Sequence, residues 1–152
     1  MRIARRTFLA STAAMLAAPA VLRLARADAP QAVLKLHHFM SSVSSAHDKF
    51  IVPWARKVQA DSGGRIRIDI FPSMQLGGAP ADLFDQARDG VVDLAWAQPC
   101  NTPGRFPKIE AFELPFLPSR RALVSSKAVE DYARANLADE FREVHPICFS
   151  CS

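Results

Sequence analysis

Residues 62–78, SGGRIRIDIFPSMQLGG, hold a turn, a strand and a shaped loop in succession. Ser62-Gly63-Gly64 ends whatever helix precedes it, because paired glycines accept the left-handed backbone that stops one. From Arg65 to Phe71 the residues alternate, with Ile66, Ile68 and Ile70 on one face and Arg65, Arg67 and Asp69 on the other. That is the two-residue period of a strand. Pro72 has no N–H to give a ladder, so pairing is expected to end there. Gln75-Leu76-Gly77-Gly78 follows as a loop, and Pro80 opens the next helix where its missing N–H costs nothing. Strand, glycine loop and helix make half of a β-α-β unit.

The flanks extend that unit. Upstream, residues 32–40 (AVLKLHHFM) read as a largely apolar first strand, as a buried parallel strand should. A helix is expected over 45–60, capped by Ser44 or Ser45, with Phe50, Ile51, Trp54, Ala55 and Val58 as its apolar stripe; Pro53 inside it predicts a kink or a late start. Downstream, a second helix spans 79–89, its stripe Leu83, Phe84 and Ala87, with Gly90 as its cap. Residues 91–97 (VVDLAWA) are a third strand, and 98–108, with three prolines, a long rigid loop. Residues 113–118 are held extended by Pro115 and Pro118. Ser119 is expected to cap a helix to about Ala135 with Leu123, Val124, Ala128, Val129 and Tyr132 inward, and a shorter helix is expected over 137–144. The order β-α-β-α-β-loop-α predicts an α/β fold, an open parallel sheet with flanking helices.

Residues 1–29 read as an export signal rather than fold. They have a basic start, a weakly apolar middle and two A-x-A cleavage sites at 25–27 and 27–29. Arg5-Arg6-Thr7-Phe8-Leu9 fits the twin-arginine type, with Ala4 where Ser or Thr is usual. The chain has 19 basic and 15 acidic residues, and five of the basic ones are arginines within residues 1–27. The remainder is close to neutral. That argues against nucleic acid as a partner, and no basic amphipathic stretch points to a membrane surface once the signal is cleaved.

The quoted run, then Gln86-Ala87-Arg88-Asp89-Gly90-Val91-Val92-Asp93-Leu94, then Glu113-Leu114-Pro115-Phe116-Leu117, resembles the solute-binding subunit of tripartite ATP-independent periplasmic (TRAP) transporters, dicarboxylate type. The resemblance covers about residues 33–146. It implies the first lobe of a two-lobed, type II-like periplasmic binding protein. Such a protein is not an enzyme and needs no cofactor; it closes on a small organic acid and hands it to membrane subunits. In the family, the residues matching Phe39 and Gln98 line the cleft, and a second lobe supplies an arginine for the ligand carboxylate. Where some members carry an acid after the glycine loop, this chain has Ala79-Pro80. Residues 30–147 are therefore expected to form an incomplete first lobe, and 148–152 a truncated or out-of-frame tail.

The candidate binding residues follow from two rules. Ligands of open α/β sheets sit beyond the carboxyl ends of the strands, which here adds Ser73, Gln75 and Trp96 to Phe39 and Gln98. Gln98 offers both a donor and an acceptor to a carboxylate or hydroxyl. Arg105 could reach an anion from its loop, or pair with Glu110 or Glu113. Two competing readings are weaker. Cys148-x-x-Cys151 would support an exported redox or metal-binding protein, but it is only half of a tetrahedral site. His37 and His38 project to opposite faces of a strand, so with His47 they do not converge on one ion.

Overall fold

Three strands, β1 (Ala32–His38), β2 (Ile66–Phe71) and β3 (Leu94–Trp96), form one parallel sheet in the order β2-β1-β3. The structure is a computed structural model that describes residues 29–114 and 121–149. β1 is central. His37 is level with Phe71 on one side and with Ala95 on the other. The three carboxyl ends therefore finish at one edge of the sheet, where residues 38–40, 72–74 and 97–98 lie. Pro72 closes the β2 ladder as its chemistry requires.

The first helix is continuous through Pro53. Ser44 is its cap, its hydroxyl accepting the His47 N–H at 3.2 Å. A π-helical turn, His47–Ile51, leads into α1 (Val52–Asp61). Val52 N–H reaches back five residues to His47 O. This widening absorbs the proline, which has no N–H for an ordinary turn and whose ring would crowd one. Within the expected stripe, Ile51 and Ala55 are the buried positions, Trp54 and Val58 are half-buried, and Phe50 is half-exposed.

Pro80 opens a 3₁₀ turn, Pro80–Asp82, that continues into α2 (Leu83–Arg88), and Gly90 ends it at φ 73°. β3 is shorter than expected. The Val91 and Val92 N–H groups both bond to Gln86 O, so these residues belong to the helix cap. Lys35 N donates to the Asp93 carboxylate at 2.8 Å, which starts the strand pairing.

The proline segment after β3 is not a plain loop. Pro99 and Pro107 each start a helical turn: a 3₁₀ turn, Pro99–Asn101, and α3 (Pro107–Glu110), followed by a second 3₁₀ turn, Ala111–Glu113. The extended run expected over 113–118 lies outside the described residues except at its start. So does Ser119; α4 (Ala122–Asn136) has Arg121 at its cap position instead. The inward face of α4 differs in part: Val129 and Tyr132 turn inward as expected, but Leu123, Val124 and Ala128 do not. Leu123 is 83% exposed and Val124 51%, while Ser125, Val129 and Ala133 are buried with Tyr132 half-buried beside them. Residues 137–144 form hydrogen-bonded turns rather than a helix. Phe84, Phe106, Ile109, Val129, Ala133 and Leu137 make the core cluster between α2, α3 and α4. Phe141 stacks on Phe106 at 4.9 Å to close it.

Candidate functional site

The carboxyl edge of the sheet carries a strained, tightly bonded loop. Ser73 and Met74 both have positive φ, 53° and 56°, although neither is glycine. Gly77 and Gly78 follow at 87° and 85°. Side-chain-bearing residues in this region cost free energy and are held there by their surroundings. The surroundings here are the end of β1: Ser73 N donates to Met40 O at 2.9 Å and Met74 N to His38 O at 3.1 Å. No glycine marks Ser73 or Met74, so the sequence carries no sign of this conformation.

The candidate residues divide between this rim and a neighbouring cavity. Phe39 is half-buried at the end of β1, and Ser73 and Gln75 are exposed on the strained loop. Trp96 and Gln98 instead line a cavity of about 850 Å³ beside β3, walled by Phe50, Trp54 and Phe112 and by residues 143–149. Trp96 meets Phe50 edge-on at 5.7 Å. Gln98 also borders a small void of about 30 Å³ with Phe84 and Phe106. Phe39, Ser73, Gln75 and Arg105 do not line that cavity.

Arg105 is committed elsewhere. It forms a bidentate pair with Asp85, at 2.6 and 2.8 Å, and lies over the Phe84 ring at 4.5 Å. Its hydrogen bonds hold the Asp85 carboxyl below its ordinary value. The two acids expected as local partners have other work. Glu110 accepts the Gly104 N–H, and Glu113 accepts the Cys100 N–H. Arg105 thus ties the proline loop to α2, and a ligand would have to compete with a two-point carboxylate pair for it.

The two strand-end histidines are fully buried and do turn to opposite flanks. His38 Nε2 lies 2.9 Å from His47 Nδ1, on the helix side. Burial first, then the neighbouring His47 and His37, lowers the His38 pKa to about 4. His37 Nδ1 lies 2.6 Å from Gln86 Oε1, and Gln86 Nε2 donates to Gly77 O at 3.0 Å. Leu76 N–H points at His37 Nε2 over 3.4 Å. Gln86 was not foreseen, because a polar residue in a short amphipathic helix gives no pattern that separates it from solvent-facing neighbours.

Among the described residues, no group of three or more His, Cys, Asp or Glu side chains could hold a metal ion. Cys148 and Cys100 are free thiols, and Cys151 lies outside the described residues. Burial and Glu130 push the Cys148 thiol up, and burial and Glu113 do the same to Cys100. Redox-active cysteines need the opposite shift. No described helix is long and apolar enough to cross a membrane.

An open parallel sheet whose carboxyl ends form a polar, aromatic-flanked rim is the architecture of a small-molecule-binding α/β lobe. The chain belongs to the bacterial extracellular solute-binding protein family 7 (DctP), which its residues 36–145 match. It is 30% identical over 115 residues to the uncharacterized protein y4mM of Sinorhizobium fredii, covering 76% of this chain and 21% of that protein. Two solved TRAP solute-binding proteins are similar to it. One, from a marine metagenome and specific for aromatic acid ligands, is 44% identical with a TM-score of 0.74, over 77% of this chain and 36% of that one. The other, from Rhodoferax ferrireducens with copurified benzoate, is 47% identical with a TM-score of 0.70, over 73% and 34%. The chain thus spans about a third of the solved relatives' length and a fifth of y4mM. The fold is that of the TRAP solute-binding proteins, a family of transport proteins rather than enzymes.

Proposed function

We propose that this chain contributes one wall of an extracytoplasmic binding site for a small aromatic carboxylate, destined for a TRAP-type transporter. The observation that carries the reading is the 44–47% identity to two solute-binding proteins whose structures hold metahydroxyphenylacetate and benzoate. The rim and the cavity beside β3 support it chemically: on the rim Phe39 offers a ring face and the Ser73 hydroxyl and Gln75 amide polar contacts, and in the cavity Gln98 offers a donor and an acceptor. Residues 1–29 act in this reading as a twin-arginine export signal, which places the protein in the periplasm beside the transporter's membrane subunits. The family implies that an opposing wall, with an arginine for the ligand carboxylate, completes such a site.

The test is a titration of the ¹⁵N-labelled protein with millimolar benzoate, and separately with succinate, followed by amide chemical shifts. Benzoate is expected to move Phe39, Ser73, Trp96 and Gln98 selectively, with little response to succinate. Absent or uniformly scattered shifts, or a preference for succinate, would overturn the reading.

A further inference from the structure

We propose that His37 and Gln86 are positioning residues that hold the strained rim loop, 73–78, in its ligand-facing shape. The proposal deepens the reading above, since it concerns the same rim. The geometry closes a circuit between adjacent loop residues. Gln86 Nε2 donates to Gly77 O, so its Oε1 must accept from His37. His37 Nδ1 therefore carries the proton, and its Nε2 is left as an acceptor aimed at Leu76 N–H. The circuit runs from Leu76 through His37 and Gln86 and back to Gly77.

Three further features fit a positioning role. His37 is fully buried at the end of the central strand, so its ring cannot swing away. The Gln86 main-chain oxygen takes the Val91 and Val92 N–H groups, which anchors the same residue to the α2 cap. A Cβ on Gly78 would stand 2.9 Å from Gln86 Nε2, so that glycine clears the path for the amide. The loop that results carries Ser73 and Gln75, two of the proposed ligand contacts.

The experiment compares amide hydrogen exchange and benzoate shifts in the parent chain, Gln86→Leu and His37→Asn. Gln86→Leu keeps the shape and removes both side-chain bonds. Exchange at Leu76 and Gly77 should rise about tenfold, and benzoate affinity fall by a similar factor, while exchange in β1 and α1 stays unchanged. His37→Asn keeps a donor near the Nδ1 position and should loosen Leu76 more than Gly77. Unchanged exchange at Leu76 and Gly77 in Gln86→Leu overturns the proposal. A rise spread evenly over the whole sheet overturns it too, because it marks a general packing role. Should the parent show no benzoate shifts, the ligand reading fails by itself, and the exchange data still decide whether the circuit orders the loop.

Discussion

At the scale of single residues, two buried histidines one position apart do different things because a strand points them to opposite flanks. His38, pressed against His47, is kept neutral well below the ordinary imidazole range, at about 4. The unfolded chain binds that proton near 6.5, so between pH 6.5 and pH 4 the unfolded state takes up a proton the fold refuses. Stability is full above that window and falls as pH drops through it, by at most about 3 kcal/mol. Urea unfolding across pH 4–7 checks this, and His38→Gln should flatten the acid limb relative to the parent. Gly77 and Gly78 give a paired prediction. Both have positive φ, but only Gly78 faces neighbours, Gln86 and Asp82, within about 3 Å of an added Cβ. Gly78→Ala should cost more stability than Gly77→Ala, which should itself lose about 1 kcal/mol from backbone strain alone. Equal losses on thermal unfolding would refute the close approach.

At the scale of elements, α4 shows how a face is chosen. Apolar residues occur nearly all round this helix, so periodicity allows Leu123, Val124 and Ala128 inward as well as Val129 and Tyr132. Packing against Phe84, Phe106 and Ile109 keeps Val129 and Tyr132, adds Ala133 and the following Leu137, and leaves Leu123 and Val124 exposed. Val129→Ala should therefore cost about 2 kcal/mol, whereas Leu123→Ala should change stability by no more than about 0.5 kcal/mol. Chemical denaturation of the two variants side by side distinguishes the faces. In the first helix, the apolar stripe is wide enough to include Phe50, Ile51, Trp54 and Ala55, and packing buries Ile51 and Ala55 fully. Phe50, at the edge of that stripe, meets Trp96.

At the scale of the whole molecule, the rim and the cavity beside β3 meet around Trp96 and Gln98, and ligand occupancy there should stabilise the lobe by mass action. At an aromatic-acid concentration 100 times the dissociation constant, stability should rise by about 2.7 kcal/mol. A thermal-shift series with benzoate measures this, and a midpoint that does not move with concentration would count against binding to the folded state. Residues 28–152 are close to neutral, so this stabilisation should depend only modestly on salt.

The sequence by itself determined the presence of the three strands and their parallel class, but not the strand order or the length of β3. Alternation in residues 66–71, Pro72 and Pro80 as stops and starts, and the glycine pair are local chemistry, and each appears where it was expected. It also carried the family, through residues whose spacing is specific in combination. Only the tertiary structure decided which helix faces are buried, that Arg105 belongs to Asp85, that Ser73 and Met74 are left-handed, and that His37 and Gln86 brace the rim. These outcomes come from contacts between residues 20 to 49 positions apart, or from strain held by a neighbouring strand. Local propensity has no access to either, because the free energy that settles them resides in partners the chain supplies only once it has folded.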